Sequence, residues 1–186
     1  MLLALGAWEG RRLRVPGEDA EGVYGGVDFL KRVNTGGVPT LEGRIGVVGG
    51  GNTAVDAARA ALRLGATEVT ILYRRTRDEM PAFPREVDAA LREGVVLQCL
   101  VSPVAVEVEA GRVQGVRVQR MVLGEPDSSG RPRPIPVVGT EHVIPLEHVI
   151  NAIGEFPDLG ALDGADLVRG GTVADAATLA TARAGV

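Results

Sequence analysis

Three consecutive glycines, at positions 49–51, have the spacing of a phosphate-binding turn. They follow an apolar run at 45–48 and lead into a helix-forming segment. Gly49 permits a sharp turn, Gly51 removes the Cβ that would block a phosphate, and Ala54 is small enough for close packing of helix on strand. The helix would direct free N–H groups and the positive end of its dipole at the anion. We therefore predict that a dinucleotide pyrophosphate binds at Gly49, Gly50, Gly51, Asn52 and Thr53.

A cluster of arginines suggests which dinucleotide binds. Arg74, Arg75 and Arg77 follow the apolar run at 69–73, where an acidic residue would select the ribose 2′-hydroxyl of NAD. A carboxylate repels a 2′-phosphate, whereas a guanidinium can bind one with two parallel hydrogen bonds. The cluster favours NADPH over NADH, and FAD fits less well because its ribose also prefers an acid. The alternative interpretation is a solvated basic loop.

The elements around these residues predict an α/β fold. Strands at 45–48 and 69–73 flank a helix whose small residues form one stripe, at 54, 57, 58, 61 and 62. Gly65 is predicted to end this helix. A helix at 85–93, stopped by Gly94, and a strand at 95–101 complete a β-α-β-α-β unit. This context favours a nucleotide-binding turn over a merely flexible one, which the glycines alone would also fit.

The second half of the chain has a different pattern. A hairpin is predicted from 104–109 and 113–123, followed by a mobile Pro/Gly-rich segment at 124–136 and a last apolar strand at 148–153. The expected fold class is a three-layer Rossmann-like parallel sheet with an antiparallel β-meander crossover.

Composition excludes several classes of function. The 186 residues have a net charge of −4, so no global field favours nucleic acid or an anionic membrane. Cys99 is the single cysteine, which excludes an internal disulfide, a dithiol redox centre and a cysteine-ligated cluster within this chain. No apolar run has the length of a membrane span, and a cytoplasmic location is expected. His142 and His148 have no ligand-like spacing, so we predict no metal site and no catalytic side chain.

Four segments carry a resemblance to a known family. They are GGGNTAVDAAR at 49–59, LRLGA at 62–66, YRRTRDEMPA at 73–82 and GEPD at 124–127. The chain resembles the small (beta) subunit of NADPH-dependent glutamate synthase, and the flavin half of dihydropyrimidine dehydrogenase shares the same plan. The resemblance implies an FAD domain interrupted by an NADPH domain. The expected divisions are residues 1–40 as an FAD-domain segment and linker, 41–155 as the NADPH domain, and 156–186 as the returning FAD-domain segment.

The resemblance also implies roles for individual residues. Arg74 and Arg75 would contact the 2′-phosphate, and Ala152, Ile153 and Gly154 would lie at the nicotinamide end. Pro81 stands where the dehydrogenase branch has an arginine, for which Arg77 is the expected substitute.

Departures from the family define the expected activity. The FAD glycine motif and the cysteine-rich cluster domain that open a family member, and its late Gly-Gly-Asp segment, are not found in this sequence. We therefore expect NADPH binding without turnover, with FAD bound only in a full-length protein. The expected partners are an FAD domain, an iron–sulfur or large subunit, and a second copy covering the apolar residues at 2–8. Two alternatives remain open: a non-catalytic NADP(H)-sensing or scaffold module, and an NAD-linked domain.

Overall fold

The computed structural model describes residues 6–37, 41–127 and 130–157 of the chain. Most of the apolar residues at 2–8 and most of the predicted returning segment at 156–186 lie outside the described residues. The chain divides into a compact unit, Gly10–Gly154, and a smaller unit made of Met1–Glu9 and Glu155–Val186.

The described elements alternate strands and helices before a run of strands. In chain order they are β1 (Glu9–Gly10), β2 (Val23–Gly25), α1 (Gly26–Asn34), β3 (Arg44–Val48), α2 (Asn52–Arg63), β4 (Glu68–Tyr73), a 3₁₀ turn (Arg77–Glu79), α3 (Pro84–Glu93), β5 (Val96–Cys99), β6 (Val101–Glu109), β7 (Arg112–Pro126), β8 (Pro132–Pro136), β9 (His142–Pro145), β10 (His148–Asn151) and β11 (Glu155–Phe156).

A five-stranded sheet forms the middle of the compact unit. Its order is β2-β10-β3-β4-β5, and each neighbouring pair is parallel. β3 and β4 are almost continuously buried, as expected for parallel strands covered on both faces. The edge strand β2 is parallel to β10 and lies in the same compact unit as the rest of the sheet.

The helices cover one face of this sheet. The alanines of the α2 stripe, at 54, 57, 58 and 61, are fully buried, as the 3.6-residue period predicts, whereas Leu62 is partly buried. The stripe packs in one core with Phe29 of α1 and Val87 of α3. Small side chains allow the helix backbone to lie close to the sheet. Gly65 and Gly94 both have positive φ, at 104° and 105°, and stop α2 and α3 as predicted.

An antiparallel meander covers the opposite face. β6 pairs with β7, and β7 pairs in turn with β8 and β9. Valines of β7, including Val116 and Val118, pack in a second core with Val48, Leu72 and Val149 of the parallel sheet. The predicted hairpin turn is Ala110-Gly111, where both residues have positive φ. The three layers confirm the predicted fold class.

Two predictions about single segments were wrong. The strand expected at 95–101 is broken at Leu100, whose φ of 58° ends β5 and redirects the chain into β6. The segment at 124–136, expected to be mobile, extends β7 to Pro126 and supplies β8, with Val122 opposite Ile135. Its prolines are tolerated because β8 is the last strand on its edge of the meander.

Candidate functional site

The first glycine of the turn fits tightly against the return strand. Gly49 has a φ of 144°, and a Cβ there would overlap the carbonyl oxygen of Ala152. The Gly49 amide donates to the Leu72 carbonyl at 3.1 Å, and the Ala152 amide donates to the Val48 carbonyl at 2.8 Å. The carboxyl ends of β3, β4 and β10 therefore meet directly beneath the turn. No residue with a side chain fits this position without moving β10.

The second glycine is held by the loop that follows β4. A Cβ on Gly50 would overlap the ring of Tyr73. The Tyr73 hydroxyl donates to the Glu79 carbonyl at 2.7 Å, and the Gly50 carbonyl accepts from the Ala82 amide at 3.1 Å. The loop after β4 is thereby anchored to the glycine turn, which brings two separate parts of the predicted site together.

The third glycine faces open space. A Cβ on Gly51 would meet no atom within 4 Å apart from those of its two chain neighbours, and its φ of −86° is accessible to any residue. Gly51 is the N-cap of α2, which has neither a side-chain cap nor an acidic residue in its first turn. The first amides of a helix have no intrahelical acceptor, so those of Asn52 and Thr53 lie at an uncapped, positive helix end. This arrangement is chemically suited to bind a phosphate.

Asn52 also has a structural role that the sequence did not predict. Its side-chain Oδ1 accepts a hydrogen bond from the Phe83 amide at 2.9 Å. Phe83 is the N-cap of α3, so this bond joins the starts of α2 and α3.

The three predicted arginines lie in different environments. Arg74 is exposed and forms no hydrogen bond or ion pair with the described residues. Arg75 is only 3% exposed; its Nη2 donates to Asp127 Oδ2 at 2.7 Å, and its Nε donates to the Pro132 carbonyl at 2.7 Å. Arg77 pairs with Asp88 of α3. Of the three, Arg74 is the guanidinium that the described structure leaves available to an anion.

The loop carrying these arginines is ordered by a capping box. The Thr76 amide and hydroxyl both donate to Glu79 Oε2, and the hydrogen bond from Thr76 holds the pKa of Glu79 below its ordinary value. The Thr-x-x-Glu spacing was visible in the sequence and could have predicted this turn.

The predicted nicotinamide end follows β10. Asn151 Nδ2 donates to the Arg11 carbonyl at 2.6 Å, and the Arg11 amide donates to the Gly154 carbonyl at 2.9 Å. Gly154 has a φ of 126°, and the side chain of Ile153 is exposed. Because β10 lies beside β3, Ala152 is brought against the glycine turn, as its contact with Gly49 shows. The residues predicted to bind the two ends of the dinucleotide thus converge on one edge of the sheet.

The family model of the pyridine nucleotide-disulphide oxidoreductases matches residues 1–186 of this chain. The chain belongs to that family.

Two relatives of the chain are named as beta subunits of oxidoreductases that use NADP(+) or NADPH. The chain is 48% identical over 192 residues to the NADP(+)-dependent formate dehydrogenase subunit beta of Moorella thermoacetica, covering all of this chain and 27% of that protein. It is 47% identical to the NADPH-Fe(3+) oxidoreductase subunit beta of Geobacter sulfurreducens, covering 93% of this chain and 27% of the relative. The chain therefore spans about a quarter of the length of these two relatives.

The resemblance to glutamate synthase small subunits is confirmed. Identity to the glutamate synthase [NADPH] small chain of Escherichia coli is 40% over 169 residues, covering 84% of this chain and 36% of that protein.

Solved structures share the fold. FprA of Mycobacterium tuberculosis, in complex with NADPH, aligns with a TM-score of 0.67 at 22% identity, over 82% of this chain and 49% of FprA. Thioredoxin reductase of Lactococcus lactis aligns with a TM-score of 0.69 at 18% identity, over 96% of this chain and 52% of the reductase.

Other polar residues of this pyridine nucleotide-disulphide oxidoreductase chain do not join the site. Burial lowers the pKa of His148, which packs against the ring of Tyr24, and His142 is exposed on β9. Burial raises the pKa of the half-buried Cys99 thiol. In the parts of the chain that the structure describes, His, Cys, Asp and Glu side chains form no group that could hold a metal ion. Among these same residues, no helix is long and apolar enough to cross a membrane.

An ion-pair cluster joins α2 to α3 away from the glycine turn. Arg59 of α2 turns toward α3, where Nη1 lies 2.9 Å from Glu86 and Nη2 lies 2.6 Å from Glu93.

Proposed function

We propose that this chain binds NADPH and positions its nicotinamide for hydride transfer to FAD, as the NADPH-binding part of a flavin-dependent oxidoreductase of the glutamate synthase small-subunit type. The observation that carries the proposal is the open space at Gly51. It adjoins a helix N-terminus with no side-chain cap and no acidic residue in its first turn. The positive end of the helix dipole and its free N–H groups are therefore not balanced by a side chain, and a pyrophosphate would supply the negative charge and the hydrogen-bond acceptors.

The proposed cofactor-binding residues follow the edge of the sheet. The amides at 50–53 would hold the pyrophosphate, and the Arg74 guanidinium would bind the 2′-phosphate. Arg75 and Arg77 would add positive charge behind Arg74, although the charge of each is partly neutralised by its own carboxylate partner. Residues 152–154 would orient the nicotinamide. Support for this arrangement comes from the bonds that hold the arginine loop and β10 against the glycine turn.

We assign no catalytic side chain to this chain. A flavin, when bound, supplies the electron acceptor, and a protein contributes mainly the orientation of the two cofactors and exclusion of competing reactions. Ala152 and Gly154 would contribute by leaving room for the nicotinamide, and Asn151 by fixing the backbone before them through its bond to Arg11.

The proposal extends to the larger protein. Residues 1–40 and 156–186 would belong to an FAD domain that the segment 41–155 interrupts. Names of the relatives, which include subunits of a formate dehydrogenase and an iron(III) oxidoreductase, support assembly with further electron-transfer partners. A cytoplasmic location and association into a homodimer are further parts of the proposal. The single cysteine of the sequence supports a reducing compartment.

Calorimetric titration with NADPH and NADH tests the assignment of the cofactor. Hydrogen bonds to charged groups contribute about 1.5–3 kcal/mol, so Arg74→Glu should raise the Kd for NADPH by about ten- to a hundredfold or more. The Kd for NADH should stay the same, because NADH has no 2′-phosphate.

Arg92→Glu is the matched control. Arg92 is an exposed arginine in the last turn of α3, at the opposite end of that helix from the glycine turn, and its replacement changes the net charge equally. It should leave both affinities unchanged. Equal affinities of the wild-type chain for NADPH and NADH, or an unchanged affinity of Arg74→Glu for NADPH, would contradict the proposal.

A further inference from the structure

We infer that Arg75 is a positioning residue, which holds the backbone of Arg74 in place for the 2′-phosphate and does not itself bind the phosphate. This inference rests on the proposed function and refines it. The sequence places two equivalent arginines side by side, and the structure divides their roles.

The side chain of Arg75 is already committed. It is 3% exposed, Nη2 is paired with Asp127 Oδ2, and Nε donates to the Pro132 carbonyl, each at 2.7 Å. A buried guanidinium whose charge is matched by a carboxylate gains little by exchanging that partner for a phosphate, because the charge is already neutralised where it lies. Phosphate binding by Arg75 would require this ion pair to break.

The main chain of Arg75 is also fixed. Its carbonyl accepts from the Leu100 amide at 3.1 Å, and the Leu100 carbonyl accepts from the Met121 amide at 2.8 Å. The Arg75 main chain is therefore hydrogen-bonded to Leu100, between β5 and β6, and its side chain contacts Asp127 after β7 and Pro132 at the start of β8. These contacts join the end of β4 to the meander.

Arg74 lies between two anchored neighbours. On its N-terminal side Tyr73 packs on Gly50, and on its C-terminal side Arg75 is bonded to the meander. The Arg74 backbone is thus held while its side chain stays exposed. Fixing the backbone before the ligand arrives reduces the ordering entropy that binding must overcome. That gain applies only to a ligand that contacts Arg74, which means the ligand with a 2′-phosphate.

The test compares the ratio of the Kd for NADPH to the Kd for NADH in two backgrounds. Arg75→Lys keeps the positive charge but loses the guanidinium that contacts both Asp127 and the Pro132 carbonyl. Asp127→Ala leaves Arg75 in place and removes its carboxylate partner. Both variants should raise the ratio about tenfold, through weaker NADPH binding, in the otherwise unchanged chain. In an Arg74→Gln background, neither should raise it further, because their effect passes through Arg74.

The two roles predict opposite results for Asp127→Ala. If Arg75 bound the phosphate directly, removal of Asp127 would free its guanidinium, and NADPH would bind as tightly as before or more tightly. That result would overturn the inference, as would an effect of Arg75→Lys that persists in the Arg74→Gln background. A fall in Tm with an unchanged ratio for both variants would also overturn it, because it would show that Arg75 only stabilises the fold.

The proposed function can fail separately. A ratio near one for the wild-type chain, or an Arg74→Gln variant with the wild-type ratio, would overturn the proposed function and this inference with it. A normal wild-type ratio that Arg74→Gln abolishes, with no effect of Arg75→Lys or Asp127→Ala, would overturn the inference alone.

Discussion

Replacement of Gly51 by alanine should strongly weaken cofactor binding without unfolding the protein. The added Cβ would meet no atom within 4 Å apart from those of its two chain neighbours, and the local φ of −86° and ψ of 176° suit alanine. The methyl group would instead occupy the space in which we place the pyrophosphate. The substitution therefore tests whether glycine at position 51 is needed for binding the ligand rather than for folding.

The size of each effect follows from this geometry. Alanine is a poorer N-cap than glycine by less than about 1 kcal/mol, and it gains roughly 0.4–1 kcal/mol by restricting the unfolded chain. These terms nearly cancel, so the Tm should stay within about 4 °C of wild type. Loss of one or two charge-assisted hydrogen bonds from backbone amides to the pyrophosphate should raise the Kd about ten- to a hundredfold or more. NADPH and NADH should be affected equally, because they share the pyrophosphate.

The assay combines thermal unfolding with calorimetric titration of both nucleotides. Gly50→Ala is the matched control, because its Cβ would overlap the Tyr73 ring and overpacking of this kind costs about 1–3 kcal/mol. Gly50→Ala should therefore lower the Tm clearly, and Gly51→Ala should not. A folded Gly51→Ala protein that binds NADPH with wild-type affinity would refute the placement of the pyrophosphate.

Two further predictions concern stability. Arg59→Ala should lower the free energy of unfolding by about 1 kcal/mol in urea titrations, because Arg59 is 21% exposed and joins α2 to Glu86 and Glu93; Arg63→Ala, at 66% exposure, should change it little. Burial lowers the pKa of His148, so this imidazole binds a proton more readily in the unfolded chain than in the folded one. The free energy of unfolding should therefore be highest above about pH 6.5 and should fall as the pH drops from there toward the folded-state pKa. His148→Phe should flatten this fall between pH 5 and 7 and the exposed His142→Phe should not; an equal slope in wild type and His148→Phe would contradict the assignment.

Local features of the fold were predictable from the sequence. The small-residue stripe of α2 and the glycines that stop α2 and α3 are set by interactions within a few residues. The glycine turn was equally visible, because strand, turn and helix are consecutive in the chain.

Long-range features were not predictable in the same way. The burial of Arg75 depends on Asp127, which lies 52 residues later, and no local pattern distinguishes Arg75 from Arg74. The break at Leu100 interrupts an apolar run that reads as continuous, and its positive φ is stabilised by bonds to Arg75 and Met121. The strand β8 arises from a segment rich in Pro and Gly because β7 offers it an unpaired edge.

The insertion of β10 between β2 and β3 has a consequence for the order in which the protein matures. The strand that lies second in the sheet is the last of the sheet to leave the ribosome, more than 100 residues after Arg44 begins β3. Until it arrives, the facing edges of β2 and β3 carry unpaired N–H and C=O groups, which can pair with other chains. Ala152, which supports the glycine turn, arrives with the same strand. A nascent chain therefore completes the proposed nucleotide site and pairs the facing edges of β2 and β3 in one late step, so nucleotide binding would report on completed synthesis of the sheet.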